Sequence, residues 1–248
     1  MSDTGHPHRI QLIRQGMVKH VAPHHWEELT PLLQEQRTYP SNTVISTRGS
    51  TLDHSLLLLD GIVARSIPRP DNERSTFVAL QFRGDFVDLH AFPLKQLDHD
   101  VVAVTPSTVA VVQHDALKKV LDGNIEMSRT LWSLTLVDAS IHRHWAMRNS
   151  AMRGFARVAN FFSEIDARLC AATETYQDSY TIGITQTDIA DATGMTPVHV
   201  NRVLKDLRED GCCSISNGHL QIIDRDRLHM RGDFDPAYLY LPGSEAPL

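Results

Sequence analysis

The sequence predicts an α+β chain of consecutive parts. An N-terminal antiparallel β-roll of the jelly-roll kind spans residues 10–122, a long dimerisation helix 123–148 and a winged helix-turn-helix 149–228, followed by a C-terminal tail, 229–248. Short β-branched runs separated by glycine turns recur from Thr43 to Val112, the pattern of an antiparallel roll or barrel. A sustained helical pattern follows as far as Arg148. The stretch Ile184–Gly211 then reads as two capped helices joined by a tight turn.

Composition sets the outer bounds. With 248 residues, 42% hydrophobic and 22% charged, the chain has an ordinary globular balance and enough length for one large or two smaller domains. No apolar run reaches the length of a membrane span. The opening Met-Ser-Asp-Thr-Gly-His-Pro-His lacks the charged and apolar regions of a signal peptide, so a cytoplasmic location is expected. The net charge of −6 does not advertise nucleic acid, but it leaves room for a small, locally basic surface. Cys170, Cys212 and Cys213 form neither a disulfide framework nor a metal-binding pattern. Reduced structural thiols are expected, with a redox switch at Cys212 and Cys213 as the alternative. The pairs His6/His8, His24/His25 and His142/His144 have no third ligand nearby, so no metal site is expected.

Residues 1–9 read as a disordered tail and Ile10–Gln36 as helical, with Pro23 opening a segment in which Trp26, Leu29, Leu32 and Leu33 recur at helical spacing. Strands follow at Thr43–Ile45, before the turn Arg48-Gly49-Ser50, and at Ser55–Leu59, which ends on the hairpin signal Asp60-Gly61. Further strands are expected at Ile62–Ile67, Ser75–Phe82, Val101–Val104 and Thr108–Val112, with a turn over Pro68–Asn72 and the segment Gly84–Leu89 between them. A short helix, His114–Leu121, breaks at Asp122-Gly123.

The long helix runs from about Asn124 to Arg148. Met127, Leu131, Leu134, Asp138, Ile141 and Trp145 recur at alternating spacings of four and three, a coiled-coil seam and hence a dimer interface. Trp132 and Leu136 lie off that seam and are expected to pack on the roll, since two apolar faces need two partners. Arg148-Asn149-Ser150 reads as a hinge, with Ser150 capping a helix over Ala151–Ala171 whose apolar face is Phe155, Val158, Ala159, Phe162 and Ile165. Glu174–Tyr180 reads as a polar loop.

In the stretch that follows, Thr185 is an N-cap and Asp188 completes a capping box. Gly194 takes the left-handed position that ends a helix. Thr196 caps the next helix and Pro197 occupies its first position. Val200, Val203, Leu204 and Leu207 form the buried face, leaving Val198, His199, Asn201, Arg202 and Lys205 on the other. This is the layout of a helix-turn-helix whose second helix enters the major groove. Cys213–Ser216, Asn217-Gly218 and His219–Ile223 add a tight hairpin, the wing. From Met230 on, the chain reads as a loosely attached tail.

This order of parts resembles the Crp–Fnr superfamily, the cyclic-AMP receptor protein and fumarate–nitrate regulator type, over about residues 10–228. The resemblance is most specific in Thr185–Gly211 and Asn149–Ala159, and the roll agrees in Gly49, Gly61 and Gly84-Asp85-Phe86. It implies a cyclic-nucleotide-binding-like roll and a homodimeric transcription regulator, with double-stranded DNA carrying a pseudo-palindromic operator and RNA polymerase as partners. No catalytic activity is implied. Thr185 and Thr196 would approach phosphates, Gln186 the backbone or a base edge, and Lys205 a phosphate. Arg202 would read a guanine, while Pro197, His199 and Asn201 would reach neighbouring groups. Val198 stands where the family often has Glu, which favours an apolar contact such as a thymine methyl.

Other departures bear on the effector. Cyclic-nucleotide binders of the family carry Gly-Glu-Leu after Gly-Asp-Phe and an Arg-Ser pair further on. Here the segments read Val87-Asp88-Leu89-His90 and Gln96-Leu97-Asp98-His99-Asp100. A cyclic phosphate would meet carboxylates there, so cyclic AMP is not expected as effector. His90, His99 and Lys95 could bind another ligand, but loop solvation is the expected role of each. No cysteine precedes Cys170, which excludes the iron–sulfur cofactor of the other branch, and nothing positive supports haem. Rival readings are a ligand-free regulator, a redox sensor acting through Cys212 and Cys213, and a cupin-like β-barrel metalloprotein. The last would need His54, His90 and His99, which stand isolated in the sequence.

Overall fold

The computed structural model describes residues 25–69, 75–173 and 175–241. The tail expected over 1–9 and most of the helix expected from Ile10 lie outside them. The chain forms two compact units. One comprises the described residues up to Arg65 together with Leu80–Asp138; the other comprises those within Ser66–Ala79 and Ala139–Leu248.

The first unit opens on α1 (Trp26–Leu29) and a 3-10 turn, Thr30–Leu33. The roll strands are β1 (Gln36–Tyr39), β2 (Thr43–Ser46), β3 (His54–Asp60), β4 (Val63–Pro68), β5 (Ser75–Gln81), β6 (Asp100–Ala103) and β7 (Ser107–Gln113). They form sheets of order β1-β7-β3 and β2-β6-β4-β5, and β7 runs antiparallel to both β1 and β3. The first strand, Gln36–Tyr39, escapes the sequence patterns because its residues are largely polar. Its backbone pairs with Ser107–Ala110 nonetheless.

The unbroken apolar run of β3 has a simple cause. Leu56 and Leu58 point to one side, with Val63, Val87, Val101, Val109 and Val111. Leu57 and Leu59 point to the other, with Ala110, Val112 and the helices α3 (His114–Gly123) and α4 (Ile125–Ala151). A strand buried on both faces loses the polar half of its alternation. Gly61 closes the β3–β4 turn at φ +91°, and a Cβ there would lie 2.5 Å from the Pro106 carbonyl oxygen. Both the left-handed backbone and the close approach require glycine.

Helix α4 corrects the expected dimer seam. Met127, Leu131 and Leu134 belong to the roll's own core. Ile141 and Trp145 are also buried, and Asp138 accepts a 2.6 Å hydrogen bond from Arg65. The exposed apolar side chains are those expected to pack on the roll, Trp132 at 64% and Leu136 at 51%, joined by Ile125 at 66%. The helix has two apolar stripes, and periodicity alone cannot tell which one faces its own chain.

In the second unit α5 covers Gly154–Thr173, α6 Gln186–Thr193, α7 Pro197–Glu209 and α8 Arg225–Arg231. A small sheet has the order β8-β10-β9, from Ser179–Thr181, His219–Ile222 and Cys213–Ser216. Strand β8 overlaps the end of the expected polar loop and pairs with β10. The expected hinge also moves. Arg148 is fully buried, Ser150 Oγ donates to the Met147 carbonyl, and the helices break at Met152-Arg153. There Arg157 caps the Met152 carbonyl.

The expected C-terminal tail is, as far as Leu239, anchored to the core of its unit. Helix α8 is capped by Asp224, and Leu228, Tyr238 and Leu239 are buried. Glu164, 2% exposed, accepts hydrogen bonds from Trp145 Nε1 (2.9 Å), Arg148 (3.0 Å) and the Tyr238 hydroxyl (2.9 Å). His144 stacks on Tyr238 at 3.7 Å between ring centroids. Burial alone would raise the Glu164 carboxyl, but Arg148 and Arg168 outweigh it and hold the group ionised below its ordinary range. Replacing Glu164 by Ala would strand the Arg148 guanidinium in the interior. We expect Glu164→Ala to lower unfolding stability by about 3–5 kcal/mol, measured by urea denaturation.

Candidate nucleic-acid interface

Helices α6 and α7 are set by their caps. Thr185 Oγ1 accepts from the Asp188 amide at 3.2 Å, and Asp188 accepts from the Thr185 amide at 2.8 Å. Gly194 ends α6 at φ +63°, ψ +32°. A Cβ there would have room, with its nearest neighbour at 3.9 Å, so the backbone angle rather than crowding calls for glycine. Thr196 Oγ1 then accepts from the His199 amide at 3.3 Å, with Pro197 at the first helical position. Val200, Val203 and Leu207 are buried beneath α7, as are Ile189, Ala190 and Ala192 of α6.

The residues expected to face DNA form one exposed surface. Thr185, Gln186, Thr196, Pro197, Val198, His199, Asn201, Arg202 and Lys205 are all exposed, Val198 at 75%. Asn201 Nδ2 donates to Gln186 Oε1 at 3.3 Å, tying the outward faces of the two helices together. Lys205 lies 3.6 Å from Glu209 one turn on. Such an exposed pair is worth about 0.3–0.5 kcal/mol and yields readily to a phosphate. Among the described residues Arg202 has no carboxylate within ion-pair distance; the ion pairs of this helix do not include Asp206. Its guanidinium is therefore available. The ring of His199 covers Gly154, where a Cβ would come 2.9 Å from Nε2.

The wing has the tight turn its sequence predicts, with Asn217 at φ +51° and Gly218 at φ +74°. The Gly218 carbonyl accepts from the amides of Ile182 and Gly183 at 2.8 and 3.1 Å. Behind α7, Asp210 accepts paired hydrogen bonds from Arg227 and Arg231, all at 2.9–3.0 Å, which hold its carboxyl well below the usual range. Sequence reasoning missed this clamp, because its arginines lie in the stretch that read as a domain edge and tail. The adjacent thiols are buried. Burial and the Asp210 carboxylate push Cys212 up to about 11, and burial pushes Cys213 up to about 12.

The comparisons with known proteins match this geometry. A Crp-like helix-turn-helix domain profile covers residues 156–231, and a cyclic nucleotide-binding domain profile covers 36–124. The chain belongs to the Crp–Fnr family of transcription regulators. It is 25% identical over 194 residues to a Rhizobium leguminosarum protein described as a probable transcriptional activator, covering 78% of this chain and 79% of that one. It is 23% identical over 209 residues to the transcriptional activator protein FnrL of Cereibacter sphaeroides, covering 82% and 83%. In fold it is similar to FixK2 from Bradyrhizobium japonicum, with a TM-score of 0.71 at 21% identity over 79% of this chain and 96% of that one.

The Crp–Fnr roll carries its own departures. Asp88 is fully buried and accepts from the Leu56 amide at 2.6 Å; burial pushes its carboxyl up to about 6. Arg65 is buried too, donating to the Val87 carbonyl (2.8 Å) and to Asp138. Lys95 lies over the Phe92 ring at 5.0 Å. His54 pairs with Asp53 at 2.8 Å. His90 and His99, read as isolated loop residues, converge: their ring centroids are 5.2 Å apart, and Asp98 joins them. His99 is itself buried. Burial, with Arg65 and His99 beside it, lowers His90 to about 4.

The Thr196 cap gives a direct check on the interface. Thr196→Ala should cost about 1 kcal/mol of stability, read from thermal melting, and should weaken DNA binding through the loosened start of α7.

Proposed function

We propose that this Crp–Fnr regulator binds a pseudo-palindromic operator as a homodimer, with one α7 helix reading each half-site. The observation that carries the reading is the exposed face of α7, on which Arg202, with no carboxylate within ion-pair distance among the described residues, stands beside Val198, His199 and Asn201. A guanidinium in that setting suits bidentate contact to a guanine, and Val198 suits a thymine methyl. Pro197 and the two caps, Thr185 and Thr196, place helix N-termini toward phosphates.

The dimer contact belongs to the exposed stripe of α4. Ile125, Arg129, Trp132, Leu136 and Ala139 follow spacings of four, three, four and three, the repeat of a two-stranded seam. Its largest members are uncovered in the single chain. Cyclic AMP is not the effector in this reading, because Asp98 and Asp100 stand near the place of the phosphate-binding arginine. RNA polymerase is the partner at the promoter, in keeping with relatives named as transcriptional activators. The redox alternative at Cys212 and Cys213 is disfavoured, since a reactive cysteine needs an accessible thiolate and both thiols are buried with raised pKa values.

Selection of binding sites from random DNA tests the whole reading. Two inverted half-sites are expected, and a lack of sequence preference would overturn it. Arg202→Ala should lose about 1–3 kcal/mol at the selected site and relax preference at one base pair, whereas Lys205→Ala should weaken all sequences alike and reduce the salt slope by about one. Both are read from binding titrations at several salt concentrations. The double substitution Trp132→Asp and Leu136→Asp should give a folded monomer in sedimentation and abolish tight operator binding.

A further inference from the structure

Residues 89–100 of the roll hold a donor set that the DNA-binding reading does not use. His90 precedes the short helix α2 (Ala91–Leu94). The chain then reverses at Lys95, φ +65°, and returns through Asp98 and His99 into β6. One ligand atom each from His90, Asp98 and His99 lies within 4.8 Å of the others. His90 Nε2 is buried and has no hydrogen-bond partner among the described residues, a costly state for an imidazole nitrogen unless something occupies it. His99 Nδ1 lies 2.7 Å from Asp98 Oδ1. An ionised carboxylate only accepts, so Nδ1 carries the proton and Nε2 the lone pair.

We propose that His90, Asp98 and His99 form a binding site for a divalent transition-metal ion of borderline softness, such as zinc, cobalt or nickel. Two imidazoles and a carboxylate suit such ions rather than magnesium or calcium. The donor atoms lie within 4.8 Å of one another and ligands sit about 2.0–2.2 Å from an ion, so coordination through both imidazoles has to draw the carboxylate round to the ion. Asp98, with 84% of its side chain exposed, is the one able to swing, exchanging its bond to His99 Nδ1 for the ion. Three protein ligands leave a coordination position for water or a small molecule.

The test uses the full-length chain and cobalt(II) alone, without DNA, so its outcome is independent of the DNA-binding reading. After equilibrium dialysis, one cobalt per chain with visible ligand-field absorption of a low-coordinate site is expected. His90→Ala should weaken cobalt binding about 100-fold and Asp98→Asn about 10-fold, on the scale of losses at metal sites. His54→Ala, away from the cluster, should leave binding unchanged. Because His99 is buried, His99→Gln is paired with a melting curve in metal-free buffer, and His90→Ala decides the matter if that variant unfolds. Cobalt uptake by the wild type no greater than by His90→Ala, or an equal loss in His54→Ala, would overturn the proposal.

Discussion

The buried stripe of α4 is the constraint on which the other features depend. Met127, Leu131 and Leu134 complete the roll's core, and Ile141 and Trp145 are buried further along the same helix. A helix that serves two cores has to keep its inward face apolar over most of its length, and α4 does so across 27 residues. Helical propensity alone would not hold so long an element; packing of its apolar face does. Asp138 interrupts the stripe, and Arg65 answers it. Once that face is committed inward, Ile125, Trp132 and Leu136 are left uncovered in the single chain.

Beyond Ala139 the helix enters a polar interior. Glu164 gathers Trp145, Arg148 and Tyr238 around one carboxylate, while Arg148 also lies over the rings of Trp145 and Phe161 at 4.7 and 5.2 Å. Desolvating these charges is expensive, and the network holds because the partners compensate one another. It connects α4, α5 and the C-terminal turn within one unit. The Asp210 clamp to Arg227 and Arg231 ties the end of α7 to α8 in the same unit.

The roll keeps the frame of a cyclic-nucleotide-binding domain with a changed interior. The turn glycines and the two-sided leucine strand persist. The segment that in nucleotide binders meets a ribose and a phosphate here turns Asp88 inward and brings two histidines and an aspartate together.

Much of this was legible from the sequence, and for a common reason. Strand alternation, the Asp60-Gly61 and Asn217-Gly218 turns, the Thr185 and Thr196 caps and the left-handed Gly194 are written in neighbouring residues, and each carries its meaning within a few positions. The whole exposed face of α7 follows from them. The tertiary structure decided what depends on residues far apart. It chose which stripe of α4 faces inward, because two stripes with similar spacing are separated only by the core they meet. It tied residues 229–239, read as a tail, to the folded unit, because Tyr238 is polar only until Glu164 receives its hydroxyl. It paired β1, whose polar residues carry no strand signal, through β7. And it brought His90 to His99, because a short helix and one left-handed residue fold the chain back on itself, a convergence in space that spacing along the chain does not record.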